Sequence, residues 1–497
     1  MVGLANILRF WDIGEHFFTN LAYNTLFLLK FIFIAASLYS LGRFLLLKIF
    51  KYDGNKLETF IFSSTLGYAA AGAVFFIIAA LKLIYAPLII AILSVFLILG
   101  LISVKEHKIP PFQWQKLICT FNNFSFFYKT LTVLIILSAL LSFSSIFTPD
   151  TEFDPLNYYV AMPNWWLINH GIADMPTHIF FNLFGFYACI YAPAMAIGGD
   201  LMAKALNFYA VLPGAIGLSF YFGKKYFGIK TAIIAMSVIC MTYQFSDLSF
   251  TTRSDSMMIM FSLASLAAAL KIPRGSKSSE NIKSKRLSLT VLAAIFSGAA
   301  MAVKATSILM VMPIMAIMFF RTSYANGKIQ KDLARKAFTD LLLFTAVASV
   351  LVIPWLVKNY IYRGNPFFPF LTSIFGLPEN YDAGLLYYFN RLANLYSGVK
   401  FMPFRNLSAI FFLQGFIENK FMSPVILILF SFVFFGKFKF NKKHIFLCFF
   451  VVTSLIMQLN SFSTTRYYFP VYILSVLFAA YYAKYFIENN KFNEIFS

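Results

Sequence analysis

Three carboxylates fall within five residues in Thr148-Pro149-Asp150-Thr151-Glu152-Phe153-Asp154-Pro155, directly after an apolar run. If the stretch is extended, Asp150, Glu152 and Asp154 project to one side. Like charges this close raise one another's pKa unless a cation or metal offsets them. Such a group can serve as a general base or hold a divalent cation. A plainer role is equally open: a hydrated loop in which Asp154 caps a helix that begins at Pro155.

A second acidic group surrounds Arg253, in Gln244-Phe245-Ser246-Asp247-Leu248-Ser249-Phe250-Thr251-Thr252-Arg253-Ser254-Asp255. Asp255 opens an apolar run and could simply cap it. An ionisable group at membrane depth is nonetheless a functional candidate. Cations punctuate the chain in the same way. Lys304 interrupts Met301-Ala302-Val303-Lys304-Ala305-Thr306, Arg466 follows Ser463-Thr464-Thr465, and Lys358 and Arg363 flank a second long segment between apolar runs. Each could merely snorkel to an interface. Together, carboxylates and cations suggest a cavity with an anionic and a cationic end. That suits a neutral sugar joined to a lipid phosphate, because Arg and Lys are natural phosphate partners.

The elements that would position these residues follow from composition. Of 497 residues, 60% are hydrophobic, 19% aromatic and 12% charged. Soluble domains carry roughly 25% charged residues, so this chain lacks the polar surface to cover a water-soluble globule. The balance argues against a cytosolic enzyme, a disordered chain, a coiled coil and a secreted disulfide scaffold. The four cysteines lie far apart and read as buried small hydrophobes. Apolar runs long enough to cross ~30 Å of hydrocarbon occur at 20–47, 60–82, 84–104, 130–148, 203–222, 231–247, 255–271, 287–303, 305–320, 338–357, 421–436, 445–460 and 467–486. The fold class is therefore all-α, a polytopic transmembrane bundle of about thirteen spans, since backbone in lipid must satisfy its own hydrogen bonds. The stretch 186–200 is apolar but short, and reads as a membrane-surface or re-entrant helix.

The net charge of +21 reads as orientation rather than nucleic-acid binding. Alternate loops between the spans hold 27 of the 41 basic residues, which assigns them to the cytoplasm and the N-terminus to the outside. Three regions follow: 1–129 with extra N-terminal spans, 130–357 as a core with the first outer segment, and 358–497 with the second outer segment and the last spans. The outer segments, 149–202 and 358–420, are rich in Trp, Tyr, Phe and Pro. They should pack as a lid of short interfacial helices. Within the first, 154–171 reads as an aromatic surface helix with Trp165 and Trp166 as interfacial anchors and His170 as a helix-end contact.

These residues resemble a known family, the GT-C superfamily of integral-membrane glycosyltransferases. It includes protein O-mannosyltransferases, lipid A aminoarabinose transferases and many bacterial relatives. The resemblance rests on Glu152-Phe153-Asp154 running into Pro155-Leu156-Asn157-Tyr158-Tyr159, on Arg253-Ser254-Asp255, on Lys304-Ala305-Thr306, and on Lys358 to Phe370, which is close to a GNPxYPF segment. Arg466-Tyr467-Tyr468-Phe469-Pro470 is similar to the family's late arginine motif. One departure is Tyr159, where many bacterial members carry histidine.

The resemblance implies a GT-C-like fold and transfer of a sugar from a polyprenyl-phosphate donor to an acceptor on the extracytoplasmic face, with inversion. Asp154 would be the general base, with Glu152 beside it. Lys304, Arg466 and Arg253 would offset the phosphate charge, and Asp255 and Asp247 would orient the acceptor or complete a metal site. Lys358 and Arg363 would contribute to substrate binding. Some members use a divalent metal and others do not, so Mg²⁺ or Mn²⁺ is an open cofactor. The acceptor, whether glycan, lipid or protein, is open too. The Phe, Ile, Lys and Asn bias points to an AT-rich bacterial genome, and hence to a bacterial inner membrane. Two alternatives remain: a lipid-linked saccharide polymerase or ligase, and a lipid or sugar flippase or transporter. The latter predicts charges at the midplane and internal repeats.

Overall fold

A computed structural model describes residues 17–106, 114–273, 280–325, 328–376, 444–459 and 465–488, with Gly384 and Tyr387. The described chain is an all-α polytopic membrane bundle, apart from a two-stranded turn pairing Tyr324–Ala325 with Lys328–Ile329. Its helices are α1 (Phe17–Phe44), α2 (Lys56–Ala80), α3 (Ala86–Glu106), α4 (Trp114–Asn122), α5 (Phe126–Ser144), α6 (Ala161–Ile168) and α7 (Phe186–Gly198). There follow α8 (Asp200–Phe227, with π turns), α9 (Ile229–Cys240), α10 (Tyr243–Phe250), α11 (Asp255–Ala269) and α12 (Glu280–Val303). The last are α13 (Ile308–Ser323), α14 (Lys331–Arg363), α15 (Ile445–Leu459) and α16 (Phe469–Glu488).

Among the described residues, eight helices are long and apolar enough to cross a membrane, or nine if α9 and α10 count as one span. The thirteen expected spans are thus not all met. The run 421–436 lies outside the described residues. The runs 255–271 and 445–460 form helices of only 15 residues each. The run 231–247 is not one span: α9 and α10 meet at a 69° bend. The physical cause is Thr242, whose hydroxyl accepts the Phe245 N–H at 3.2 Å and starts a new helix. The bend carries the polar Gln244–Asp247 stretch away from the axis of α9.

Burial sorts the helices. All 15 residues of α11 are buried, as an apolar helix in the centre of a bundle should be. It packs against α8 and α12, and α12 packs against α14. Helices α3, α5 and α14 keep wide apolar faces exposed, including Leu101, Ile136 and Val350. The N-terminal helices join the bundle through α2, which contacts α7, α8 and α12. Helices α1 and α2 touch backbone to backbone. A Cβ on Gly42 would lie 1.8 Å from Ser63 O, and one on Gly67 would lie 1.9 Å from Leu38 O. Small residues permit this approach where lipid supplies no hydrophobic drive.

The short run 186–200 does not lie on the membrane surface: it forms α7, buried inside the bundle from Phe186 to Met195. Trp166 is corrected likewise. It is buried and stacks on Trp355 at 6.2 Å, while Trp165 donates to Asp174 O at 3.2 Å. His170 takes a left-handed backbone conformation (φ +54°) and stacks on Tyr85 at 4.2 Å. Cys189 and Cys240 are buried, but Cys119 is exposed on α4. The second long segment, 358–420, is described only as far as Gly376, save Gly384 and Tyr387.

Candidate active site

Four chain breaks bring four charges together. Asp154 ends the chain's descent from α5 and starts a π turn at Pro155–Tyr159. Its backbone is already helical (φ −62°, ψ −48°), and its side chain makes no cap bond. The carboxylate instead receives Nη1 of Arg466, from the turn Thr465–Tyr468 before α16. Asp255, at the first position of α11, is wholly buried and caps nothing. Its Oδ1 accepts Lys304 Nζ at 2.7 Å, and its Oδ2 lies 3.9 Å from Arg466 Nε. The Arg466 guanidinium therefore stands between Asp154 and Asp255, two carboxylates 101 residues apart.

Lys304 is held by the break itself. Its extended backbone (φ −156°, ψ 115°) separates α12 from the turn Ala305–Ser307, so the side chain leaves the helix ladder and turns inward. Nζ also sits 4.0 Å above the Tyr467 ring. Burial disfavours the ammonium, but Asp255 outweighs it and holds the pKa above the ordinary lysine value. The group therefore stays protonated at neutral pH. Asp255 Oδ2 and Arg466 Nε are buried and make no hydrogen bond. They face each other at a distance too long for one.

A second charge group lies beside the first. Arg253 Nη1 binds Asp247, and its Nη2 is 3.8 Å from the exposed Glu152. The turn that carries Arg253 is fixed from three sides. Asn207 on α8 donates to Leu248 O and Thr251 O, each at 2.7 Å. Tyr191 on α7 donates to Arg253 O at 3.2 Å. Thr252 donates its N–H to Asp150 at 3.2 Å, together with its hydroxyl. Asp150 also faces Lys204 at 3.5 Å. The three carboxylates of 150–154 thus do not act as one cluster, because the chain turns helical at Phe153 and sends each to a different cation.

Lys358 and Arg363 are placed elsewhere. Lys358 Nζ donates to Phe181 O at 2.6 Å. Arg363 grips Asp174 with both terminal nitrogens, at 2.9 and 2.5 Å. These contacts tie the 174–182 stretch to the end of α14. Asn207 and Tyr191 were not anticipated, nor was the seat that Tyr467 gives Lys304. The first two sit within apolar runs, and only their partners in the 248–253 turn reveal them.

A divalent metal fits this donor set poorly. Among the described residues, no three His, Cys, Asp or Glu side chains converge, and Asp150, Asp154, Asp247 and Asp255 each face a cation instead.

The family model described as "Domain of unknown function (DUF8201)" matches residues 25–473. No curated protein matches. Among solved structures, the chain is similar to the Archaeoglobus fulgidus oligosaccharyltransferase in the apo form, at 15% identity over 72% of this chain and 51% of that one (TM-score 0.43). It is also similar to the archaeal oligosaccharyltransferase AglB from Archaeoglobus fulgidus in complex with an inhibitory peptide and a dolichol-phosphate. There the identity is 14% over 75% and 52% of the two chains (TM-score 0.42). The chain spans about half the length of these structures.

Proposed function

The chain belongs to the family described as Domain of unknown function (DUF8201), and we propose that it is an integral-membrane glycosyltransferase. In this reading it moves a sugar from a polyprenyl-phosphate donor to an acceptor hydroxyl on the extracytoplasmic face of a bacterial inner membrane. The observation that carries the reading is the single guanidinium of Arg466 between Asp154 and Asp255, with Lys304 on the far oxygen of Asp255.

Asp154 is the general base, and at rest its carboxylate is engaged by Arg466. The donor phosphate competes for the same guanidinium. Once Arg466 turns to the phosphate, Asp154 is free to take the acceptor proton. The acceptor oxygen then forms a bond to the anomeric carbon, on the side opposite the phosphate. The bond from that carbon to the phosphate oxygen breaks, its electron pair leaves with the phosphate, and the anomeric centre inverts. Lys304 and Arg466 offset the charge that develops there. Fixed electrostatic stabilisation of this kind is often the largest catalytic term. Asp255 keeps both cations in place. No step is routed through a metal.

The test is Asp154→Asn, read by mass spectrometry of cell-envelope glycans in a deletion strain complemented with the variant. A general base contributes typically 10²–10⁴-fold, so the product that depends on this chain should fall by at least about 100-fold with normal membrane levels of the protein. Wild-type product from the variant would overturn the reading.

A further inference from the structure

A cavity of about 790 Å³ opens between α5, the α9–α10 bend and the 148–152 segment. That volume lies within the range of small-molecule sites. Its walls are unusual for a membrane bundle. Nine of the eighteen lining residues carry a hydroxyl, among them Ser142, Thr151, Thr242 and Ser246. Two carboxylates, Asp150 and Glu152, share it with one ammonium, Lys204.

Where the protons of these groups go decides the ligand. Ser138 donates to Cys240 O (2.9 Å), Thr148 to Ser145 O (2.8 Å), Thr242 to Ile239 O (2.8 Å) and Thr251 to Asp247 O (2.6 Å). Lys204 donates to Thr148 O at 2.8 Å and faces Asp150. At these positions the wall offers oxygen lone pairs, beside the hydroxyls of Ser142, Thr151, Tyr243 and Ser246. A phosphate, which offers mainly acceptors, finds no unpaired cation among the lining side chains, because Lys204 already faces Asp150. A polyol both donates and accepts, and its hydroxyls match the wall. Tyr243, Phe245 and Phe250 add aromatic surface for the C–H faces of a sugar ring. Glu152 lines the cavity while also facing Arg253 at 3.8 Å. Asp154 is two residues further on, at most about 7 Å along the chain.

We infer that this cavity is the acceptor subsite and that it takes a neutral carbohydrate, with the reacting hydroxyl directed past Glu152 toward Asp154. The inference rests on the transferase reading for its role, but not for its ligand chemistry. It divides the labour: phosphate belongs to the cations around Asp255, and the uncharged polyol to the acceptor-rich wall.

The experiment places a thiol at the half-buried Ser246 in the full chain, reconstituted in lipid nanodiscs. The Ser246→Cys protein is treated with three methanethiosulfonates, carrying a glucosyl, a sulfonatoethyl or a trimethylammonioethyl group. Rates at position 246 are read by peptide mass spectrometry and normalised to a free peptide thiol. The glucosyl reagent should react at least tenfold faster than either charged one. Equal rates, or preference for either charge, would overturn the assignment. As a second reading, Ser246→Trp fills the cavity and should lower glycan product at least tenfold with unchanged thermal unfolding. Normal product would likewise overturn the acceptor role. If Asp154→Asn retains wild-type product while glucosyl selectivity holds, the transferase reading fails and the carbohydrate site stands. If Asp154→Asn is inactive and selectivity is absent, only this inference fails.

Discussion

Helix α11, about 21 Å long at 1.5 Å per residue, has a buried charge cluster near each end, and the two clusters are built differently. Near its C-terminus, Glu58 accepts Lys271 Nζ at 2.6 Å and Tyr52 OH at 3.3 Å, with Lys225 Nζ at 3.6 Å. A capping box with Asn55 completes its shell. Every charge there has close partners, and Lys271 bonds both Tyr52 and Glu58. At the N-terminus, Asp154, Asp255, Lys304 and Arg466 come from four distant segments, and a facing pair, Asp255 Oδ2 and Arg466 Nε, stays 3.9 Å apart without a hydrogen bond. A closed shell fixes two helix ends. A shell with unspent hydrogen-bonding capacity is under-satisfied at a cost to stability, and a ligand with the right charge can complete it. The first cluster is a lock and the second is poised.

The sharpest way to break this contrast is to remove the shared guanidinium. Arg466→Gln leaves Asp154 and Asp255 without their common cation. Loss of one preorganised electrostatic group costs about 10²–10³ in rate, so glycan product should fall by that order in the complementation assay. Thermal unfolding of the purified protein should shift less than in Glu58→Gln, because Lys304 still pairs with Asp255 and Asp154 is partly open to solvent. A large drop in unfolding temperature with rate per folded molecule intact would make Arg466 a lock as well, and the distinction would vanish.

The reverse pattern is expected at the other end. Glu58→Gln leaves Lys271 and Lys225 with a neutral partner at a mostly buried position. Removing one member of such a pair should cost about 1–3 kcal/mol. Thermal scans should show lower unfolding temperature, and product per folded molecule should stay within about twofold, a change under ~0.5 kcal/mol. A catalytic loss comparable to that of Arg466→Gln would show that the two ends are coupled.

The contrast was half legible in the sequence, and the reason is chemical. Asp154, Asp255, Lys304 and Arg466 stood out because each breaks or borders an apolar run, where charge is costly. A shared site for them was expected from a resemblance, but the placing of the Arg466 guanidinium between Asp154 and Asp255 was not, because no spacing along the chain dictates it. Asn207, Tyr191 and Lys204 were hidden because a polar group inside an apolar run gains meaning only from its partner, here the carbonyls and carboxylate that fix the 248–253 turn and Asp150. The bend at Thr242 was missed because Met241-Thr242-Tyr243 continues the apolar average, while a single hydroxyl cap redirects the chain. Trp166 illustrates the same limit: aromatic residues near a charged segment read as interfacial, yet a facing Trp355 draws it inside.

Lys358 and Arg363 offer the finest test, since they were candidates for the poised cluster and the structure gives them the partners of a lock. Arg363 holds Asp174 by two parallel hydrogen bonds, the geometry that makes Arg–carboxylate pairs specific. Lys358 and Asn359 reach Phe181 O and Asn182 O at 2.6 and 2.8 Å. These contacts anchor the loop whose other side stacks Phe180 on Tyr158, four residues after Asp154. Asp174→Asn keeps the side-chain shape and removes the charge, so it should cost about 1 kcal/mol of loop docking. Arg363 can still donate to Tyr362 O. If the pair is a fastener, the variant should admit protease between 172 and 185 more readily, while product falls less than about fivefold, under ~1 kcal/mol of barrier. A loss as deep as that of Arg466→Gln, with protease resistance unchanged, would move Arg363 from the lock to the poised cluster.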